Sequence, residues 1–282
     1  MIGKTRHDGA MLMDSGIAAD VAVFARGCGV LKHSPSPGTY RHERFAPPGV
    51  LRDWVQHFWI ESWDVRGSGP QIREVLPHPC VHYVITPGYS RIYGVQLRRF
   101  VRTLEGNACL VGIKFRPGAF YPFLRRPIAS IANSFLPASP IFSGTAQIER
   151  DVFDCRGDEE KIEVASQWLT THLPPMDPLV NTACILVESI ANDPGILRVR
   201  DLVSRSGLSN RTLQRVFRRY VGASASWVIK RYRLYEALQQ LTDAGREDLA
   251  TLAQQLGYFD QAHFINDFRR FVGRSPTAYL RM

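Results

Sequence analysis

Residues 217–222 read FRRYVG, and residues 268–273 read FRRFVG, nearly the same hexapeptide fifty-one positions later. A second pair precedes the first: residues 202–207 read LVSRSG and residues 252–257 read LAQQLG, fifty positions apart. The two pairs agree in order, residue type and spacing, which indicates a duplicated structural unit. The difference of one between the two offsets predicts one additional residue in the turn of the second copy.

Each copy has the sequence pattern of a helix-turn-helix. A short helix ends at a glycine, Gly207 or Gly257, which permits a left-handed turn. The next helix begins at a side-chain cap, Ser209 in the first copy and Asp260 in the second. Apolar residues then recur at helical spacing, so each second helix is expected to bury one stripe of side chains. These stripes are Leu213, Val216, Phe217 and Tyr220 in the first copy, and Phe264, Phe268 and Phe271 in the second.

The remaining faces of these helices carry side chains suited to nucleic acid. Arg, Gln and Asn match the hydrogen-bonding patterns of base edges in the major groove, and Arg also binds phosphate. The predicted DNA-binding residues are Ser209, Asn210, Arg211, Gln214, Arg215 and Arg218 in the first copy, and Asp260, Gln261, Ala262, His263, Asn266 and Arg269 in the second. The alternative is a helical bundle whose arginine-rich faces are merely solvated, and His263 has a capping or packing role as its own alternative.

A helix is predicted between the copies, from Ala225 to Thr242, with one apolar face. At about 1.5 Å per residue it is long enough to hold the two units apart. Two recognition helices about 34 Å apart would enter successive major grooves on one side of a duplex. A final helix is predicted from Ser275-Pro276, because proline suits the first helical position.

The segment from about Pro178 to Leu280 resembles the DNA-binding domain of AraC/XylS transcription regulators. Residues 257–264 (GYFDQAHF), 268–271 (FRRF) and 273–276 (GRSP) carry the resemblance most specifically. The resemblance implies seven helices, promoter DNA as a partner and contact with RNA polymerase. It also implies base contacts early in each recognition helix, here from Arg211, Gln214 and Arg215 and from Gln261, Ala262 and Asn266.

The first half of the chain has a different pattern. Short apolar runs separated by turn signals between residues 45 and 137 predict a mostly antiparallel β-domain, cupin-like or a sandwich. Two helices follow at about 145–172, broken near Gly157, and Pro174-Pro175 stops the second. The predicted organisation is an α+β chain: a mobile tail (1–44), a sensor or dimerisation domain (45–172), a linker (173–177) and an all-α DNA-binding domain (178–282).

Two groups in the β-domain are candidates for ligand chemistry. His78, Cys80 and His82 alternate, so on a strand they would share one face and could bind Zn²⁺; the alternative is a polar strand face without metal. Lys114 and Arg116 would also share a strand face, either as a site for an anionic effector or as an ordinary exposed edge. A cupin-like metal protein or enzyme fused to a DNA-binding domain is therefore the alternative function.

Composition limits the remaining classes. The 282 residues carry a net charge of +9, and residues 177–282 contribute 15 basic and 10 acidic residues, which suits a polyanionic partner. Five cysteines without a C-x-x-C pair indicate a reducing compartment, and no apolar run predicts a signal peptide or a membrane span. No nucleophile elbow or phosphate loop is present.

Together these observations predict a cytoplasmic, non-enzymatic transcription regulator without a cofactor. It would bind promoter DNA through two helix-turn-helix units, and its N-terminal domain would sense a small molecule, form a homodimer, or both. A structural nucleoid-binding protein is the third alternative, separated from a regulator by its lack of sequence selectivity.

Overall fold

In the computed structural model, residues 39–243 and 248–281 are described, and they form an antiparallel β-domain followed by a helical domain. Most of the predicted tail, residues 1–44, lies outside the described residues. Its last six residues, however, belong to the first strand, β1 (Thr39–Phe45), so the predicted domain start at residue 45 is too late. Tyr40 and His42 alternate with more exposed residues there, a polar pattern that gives no apolar signal of a strand.

The β-domain consists of one large sheet and one small ribbon. Its strands are β1, β2 (Val55–Asp64), β3 (Gln71–Val75), β4 (His82–Ile85), β5 (Arg91–Tyr93), β6 (Phe100–Leu104), β7 (Asn107–Phe115) and β8 (Phe135–Pro137). Six of them form an antiparallel sheet in the order β1-β2-β7-β4-β5-β8, and β3 pairs with β6 in a separate antiparallel ribbon. The predicted β-rich N-terminal domain is confirmed.

The two faces of the large sheet differ in chemistry, because successive side chains of a strand point to opposite sides. Phe58 and Ile60 of β2 pair with Ile113 and Val111 of β7, and all four are buried in the apolar core. The intervening residues face the other way, and Trp59 of β2 lies opposite Gly112 of β7. The first face packs against the helices, and the second borders a cavity beneath the ribbon.

Helices complete the β-domain and form the whole C-terminal domain. The β-domain holds α1 (Tyr121–Leu124), α2 (Thr145–Asp154) and α3 (Asp158–Thr171). The C-terminal domain holds α4 (Pro178–Asn192), α5 (Val199–Ser206), α6 (Asn210–Val216), α7 (Ala225–Asp243), α8 (Leu249–Gln255), α9 (Gln261–Val272) and α10 (Pro276–Tyr279). The two predicted helices at 145–172 and the predicted helix between the repeats are confirmed. In the described ranges, no helix is both long and apolar enough to cross a bilayer.

The two domains share a hydrophobic core, although the sequence suggested a stiff linker between them. Phe120 of the β-domain belongs to the same buried cluster as Val187 of α4 and Phe217, which follows α6. Asp177 caps α4 through a hydrogen bond from the Leu179 amide. Residues 173–177 therefore connect two packed bodies rather than space them apart.

Candidate nucleic-acid interface and β-domain cavity

The first helix-turn-helix unit comprises α5 and α6. Gly207 ends α5 with φ of 67°, a left-handed conformation that favours glycine. Ser209 caps α6 by accepting a hydrogen bond from the Thr212 amide at 3.2 Å. The predicted stripe is buried, and the chain continues beyond α6 as a short π-helical segment, Phe217–Val221. The outward-facing side chains are exposed: Ser209, Asn210, Arg211, Gln214, Arg215 and Arg218.

The second unit comprises α8 and α9 and repeats this construction. Gly257 follows α8 with φ of 77°, and the Asp260 carboxylate accepts a hydrogen bond from the His263 amide at 2.7 Å. Phe264, Phe268 and Phe271 are buried as predicted. The exposed residues are Asp260, Gln261, Ala262, His263, Asn266 and Arg269. All twelve predicted side chains thus lie on the outer faces of the two units.

Two basic or titratable side chains near these faces have partners within the chain. The His263 ring packs edge-on against Tyr258, and its Nε2 lies 3.9 Å from the Asp267 carboxylate. Arg219 is exposed, and its Nε donates to the Tyr121 hydroxyl at 2.6 Å. Arg219 therefore joins the first unit to the β-domain, a role that the repeat pattern alone does not reveal.

The β-domain cavity lies between the polar face of the large sheet and the β3–β6 ribbon. Its volume is about 370 Å³, and residues of β1 to β7 and of the loop Leu76–Cys80 line it. The indole of Trp59 covers Gly112, where a Cβ atom would lie 1.9 Å from the ring. The His42 ring stacks on the same indole with centroids 5.8 Å apart, and His82 meets it edge-on at 6.3 Å. Gly112 therefore makes room for a flat aromatic floor.

Lys114 stands beside this floor and is 5% exposed. On the sheet it lies opposite His57 of β2 and His82 of β4. Burial lowers the pKa of Lys114 to about 8, so its ammonium is largely charged at neutral pH. Burial also lowers the pKa of His82 to about 3 and that of His57 far below its usual range. Lys114 is therefore a charged group surrounded by neutral imidazoles.

The loop Leu76–Cys80 joins the cavity to α7. His78 lines the cavity, its Nε2 is hydrogen-bonded to the Tyr235 hydroxyl at 2.8 Å, and its ring stacks on Tyr235. The buried Arg231 of α7 donates from Nε to the Pro77 carbonyl, and its guanidinium lies 3.1 Å from the centroid of the Tyr235 ring. A side chain of the cavity wall thus contacts the helix between the two helix-turn-helix units.

Both halves of the chain match family models. A model described as a helix-turn-helix domain covers residues 202–282, and one described as a domain of unknown function (DUF6597) covers residues 43–137. Over 95 residues the chain is 32% identical to the HTH-type transcriptional activator AarP of Providencia stuartii, a match that spans 34% of this chain and 70% of AarP. The chain belongs to the AraC/XylS family of transcription regulators.

Solved structures of other proteins are similar to this AraC-family regulator at lower identity. The xylose-binding transcription activator XylR is 16% identical, with coverage of 43% of this chain and 39% of XylR and a TM-score of 0.30. The match therefore spans less than half of XylR. ToxT from Vibrio cholerae is 11% identical, with coverage of 88% of this chain and 98% of ToxT and a TM-score of 0.36.

The metal site suggested for this AraC-family regulator is wrong. His78, Cys80 and His82 all line the cavity, but no three His, Cys, Asp or Glu residues in the described part of the chain form a group that could hold a metal ion. His78 and Cys80 precede β4 and do not follow strand alternation, because Pro77 and Pro79 interrupt the backbone pairing there. Each has another contact: His78 with Tyr235, and the Cys80 thiol with the Gln56 carbonyl oxygen at 3.7 Å.

The pairing of Lys114 with Arg116 is also corrected. Arg116 lies just beyond β7 and forms an ion pair with Glu188 of α4, so it joins the two domains. Lys114 is not on an exposed edge, since β7 is an interior strand.

Arg231 could not be recognised from sequence, because its burial depends on a loop 154 positions away in the chain. Gly112 did give a sequence signal for the aromatic floor, because a glycine in the middle of a strand often marks a site where another group packs closely on the backbone.

Proposed function

We propose that this AraC-family regulator binds a specific promoter sequence through both helix-turn-helix units. The observation that carries the proposal is the repeated geometry: each unit has a glycine turn, a side-chain cap and a buried aromatic or aliphatic stripe. Opposite each stripe lies an exposed set of Arg, Gln or Asn side chains. Such side chains form bidentate hydrogen bonds with guanine and adenine in the major groove.

The residues proposed for base contact lie in the first two turns of the recognition helices. They are Arg211, Gln214 and Arg215 in α6, and Gln261, Ala262 and Asn266 in α9. Arg218 and Arg269 lie later in the helical segments and are proposed to contact phosphate, which supplies affinity but no sequence information. The helices supply both kinds of group, whereas a purely electrostatic binder would need only the second.

The β-domain is proposed to act on this DNA-binding domain as a sensor. Its cavity has a size typical of small-molecule sites, about 300–1,000 Å³. The loop Leu76–Cys80 connects the cavity wall with α7. RNA polymerase as a partner, a cytoplasmic location and a homodimer through α2 and α3 complete the proposal; a dimer would bind paired half-sites. The protein acts by binding rather than by catalysis.

Selection of duplexes from a random pool, followed by fluorescence anisotropy, tests this function. The full-length protein should bind its selected duplex at least about 10³-fold more tightly than a scrambled duplex of equal length at the same salt concentration. A ratio below about tenfold would contradict a specific regulator and favour a structural nucleoid-binding protein. Arg66→Ala, in the exposed turn between β2 and β3, removes an arginine outside both units and outside α2 and α3, and it should leave this ratio unchanged.

A further inference from the structure

The β-domain cavity has a large excess of positive charge. Its lining includes five basic residues and one acidic residue: Arg44, Arg73, Arg91, Arg102, Lys114 and Glu61. The Glu61 carboxylate accepts a hydrogen bond from the Tyr40 hydroxyl at 3.0 Å and lies 3.4 Å from the Arg102 guanidinium. The acid is therefore already paired within the wall, and basic residues outnumber acidic ones in the lining.

Two of the cations near this cavity are buried without a carboxylate beside them. Lys114 is 5% exposed and Arg231 is 1% exposed. The groups that act electrostatically on Lys114 are Cys80, Arg44 and Arg231, those that act on Arg231 are Tyr232 and Cys80, and neither set contains a carboxylate. In the described part of the chain, Nη2 of Arg231 has no hydrogen-bond partner. Burial of such charges is costly unless an opposite charge joins them.

The surroundings of Lys114 fit one particular anion. The neutral rings of His57 and His82 flank the ammonium and can donate ring N–H groups to oxygen atoms. Trp59 offers a flat apolar surface next to them. We infer that the cavity binds a small organic carboxylate, with its charged end at Lys114 and a flat apolar body on Trp59. This inference rests on the proposed function only for the regulatory role of the ligand.

A ligand at Lys114 lies close to the contact between the β-domain and α7. His78 lines the same cavity as Lys114, and the positive charges of Lys114 and Arg231 act on it, so it lies toward the carboxylate end. His78 in turn is hydrogen-bonded to Tyr235. A carboxylate therefore stabilises the arrangement in which the loop Leu76–Cys80 packs against α7, and through α7 it acts on the second helix-turn-helix unit.

Calorimetric titration with matched acids and amides tests the site. The probes are benzoate and 2-naphthoate against benzamide and 2-naphthamide, which have nearly the same shape without the charge. At pH 7 at least one acid should bind the full-length protein, and its amide should bind at least about tenfold more weakly, as expected for loss of a charged hydrogen bond. Equal affinity of acid and amide, or no binding of either acid at several millimolar, overturns the inference.

Substitution of Lys114 tests whether this residue causes the preference for the acid over its amide. Lys114→Met should weaken binding of the acid at least about tenfold and leave the weak binding of the amide unchanged. Lys161→Met is the control, because Lys161 is similarly buried but lies on α3 outside the cavity. An acid affinity unchanged in Lys114→Met overturns the assignment. If that variant does not fold, as shown by its thermal midpoint, the acid–amide ratio in the unmodified protein still decides.

The pH dependence is a third measure of the same contact. The groups that face or act on Lys114 are His42 and Arg44 from β1, His57 from β2, His82 from β4, His78 and Cys80 from the loop, and Arg231 from α7. Because burial lowers the pKa of Lys114 to about 8, the acid should bind more weakly as pH rises above 8, by up to tenfold per pH unit. The same rise in pH should leave binding to Lys114→Met nearly constant, and a parallel decline in both proteins contradicts the inference.

DNA binding measured in the same samples separates this inference from the proposed function. If the acid binds through Lys114 but the protein binds no specific duplex, the ligand site stands and the proposed function fails. If specific DNA binding is present and the acid does not bind, the ligand inference alone fails. If both are present but the acid leaves the DNA affinity unchanged, the site stands and its regulatory role is wrong.

Discussion

The two helix-turn-helix units have the same local construction but different neighbours. The core residues of the first unit, among them Leu213 and Phe217, belong to the cluster that includes the large sheet of the β-domain. Those of the second, among them Phe264 and Phe268, form a separate cluster that takes one buried residue, Leu76, from the described part of the β-domain. The first unit thus shares its core with the β-domain, whereas the second unit has a core of its own.

The polar contacts follow the same division. Around the first unit, Arg219 is bound to Tyr121 and the Tyr220 hydroxyl donates to Asp177 at 2.9 Å. The second unit is joined to the ribbon by the ion pair between Arg274 and Glu74, at 3.2 Å. Glu74 is buried and also pairs with Arg99, so this contact is a local polar link and not a shared apolar core. The second unit is therefore held mainly by its own core and by α7.

Helix α7 passes from one cluster to the other. Ala225–Ile229 pack in the first cluster, and Leu234–Leu241 pack in the second. Arg231 and Tyr235, the two residues that contact the loop of the β-domain cavity, lie at or beside the crossover. On the proposed function, a ligand in the cavity would act on the second unit through α7, while the first unit stays packed on the β-domain.

Removal of one core phenylalanine from each unit tests this division with the largest expected effect. Phe217→Ala and Phe268→Ala each remove a fully buried ring and should each cost about 3–5 kcal/mol. Phe217→Ala should lower the midpoint of the main calorimetric transition. Phe268→Ala should produce a separate transition at lower temperature while the amides of β2 and β7 stay protected from hydrogen exchange. Equal loss of sheet protection in both variants would refute the division.

Substitutions on the exposed faces of the two units should have smaller effects, and these effects are measured on DNA binding. Arg211→Ala or Gln214→Ala should cost about 1–3 kcal/mol at the selected site and relax the preference at one base pair. Arg218→Ala should weaken binding to all sequences about equally and reduce the salt slope by about 1. Anisotropy titrations over a salt series distinguish the two patterns. A uniform loss in Arg211→Ala would remove it from the base-contacting set.

Local sequence signals predicted the helix-turn-helix units well. The caps Ser209 and Asp260, the turn glycines and the aromatic stripes depend on contacts within a few residues, and the structure confirms them. The helix predicted from Ala225 to Thr242 spans Ala225–Asp243. Its basic residues were less predictable: Arg231 and Arg233 are buried because the β-domain and α4 supply carbonyl partners far away in sequence.

The cavity shows the limit of sequence reasoning more clearly. Alternation placed His78 and His82 on one face, and both line the cavity, but the metal hypothesis failed because alternation says nothing about convergence in three dimensions. Lys114 had two possible environments, exposed edge or ligand site, and strand order excludes the exposed edge. That order puts β7 between β2 and β4, a long-range pairing that no local pattern specifies.

Hydroxyl-radical footprinting of the full-length protein on its selected duplex tests most directly whether both units bind. We expect two protected regions on one side of the duplex, centred about one helical turn, 10–10.5 base pairs, apart. Gln214→Ala should weaken protection in one region and Asn266→Ala in the other. A single protected region that responds to substitutions in one unit alone would contradict the account.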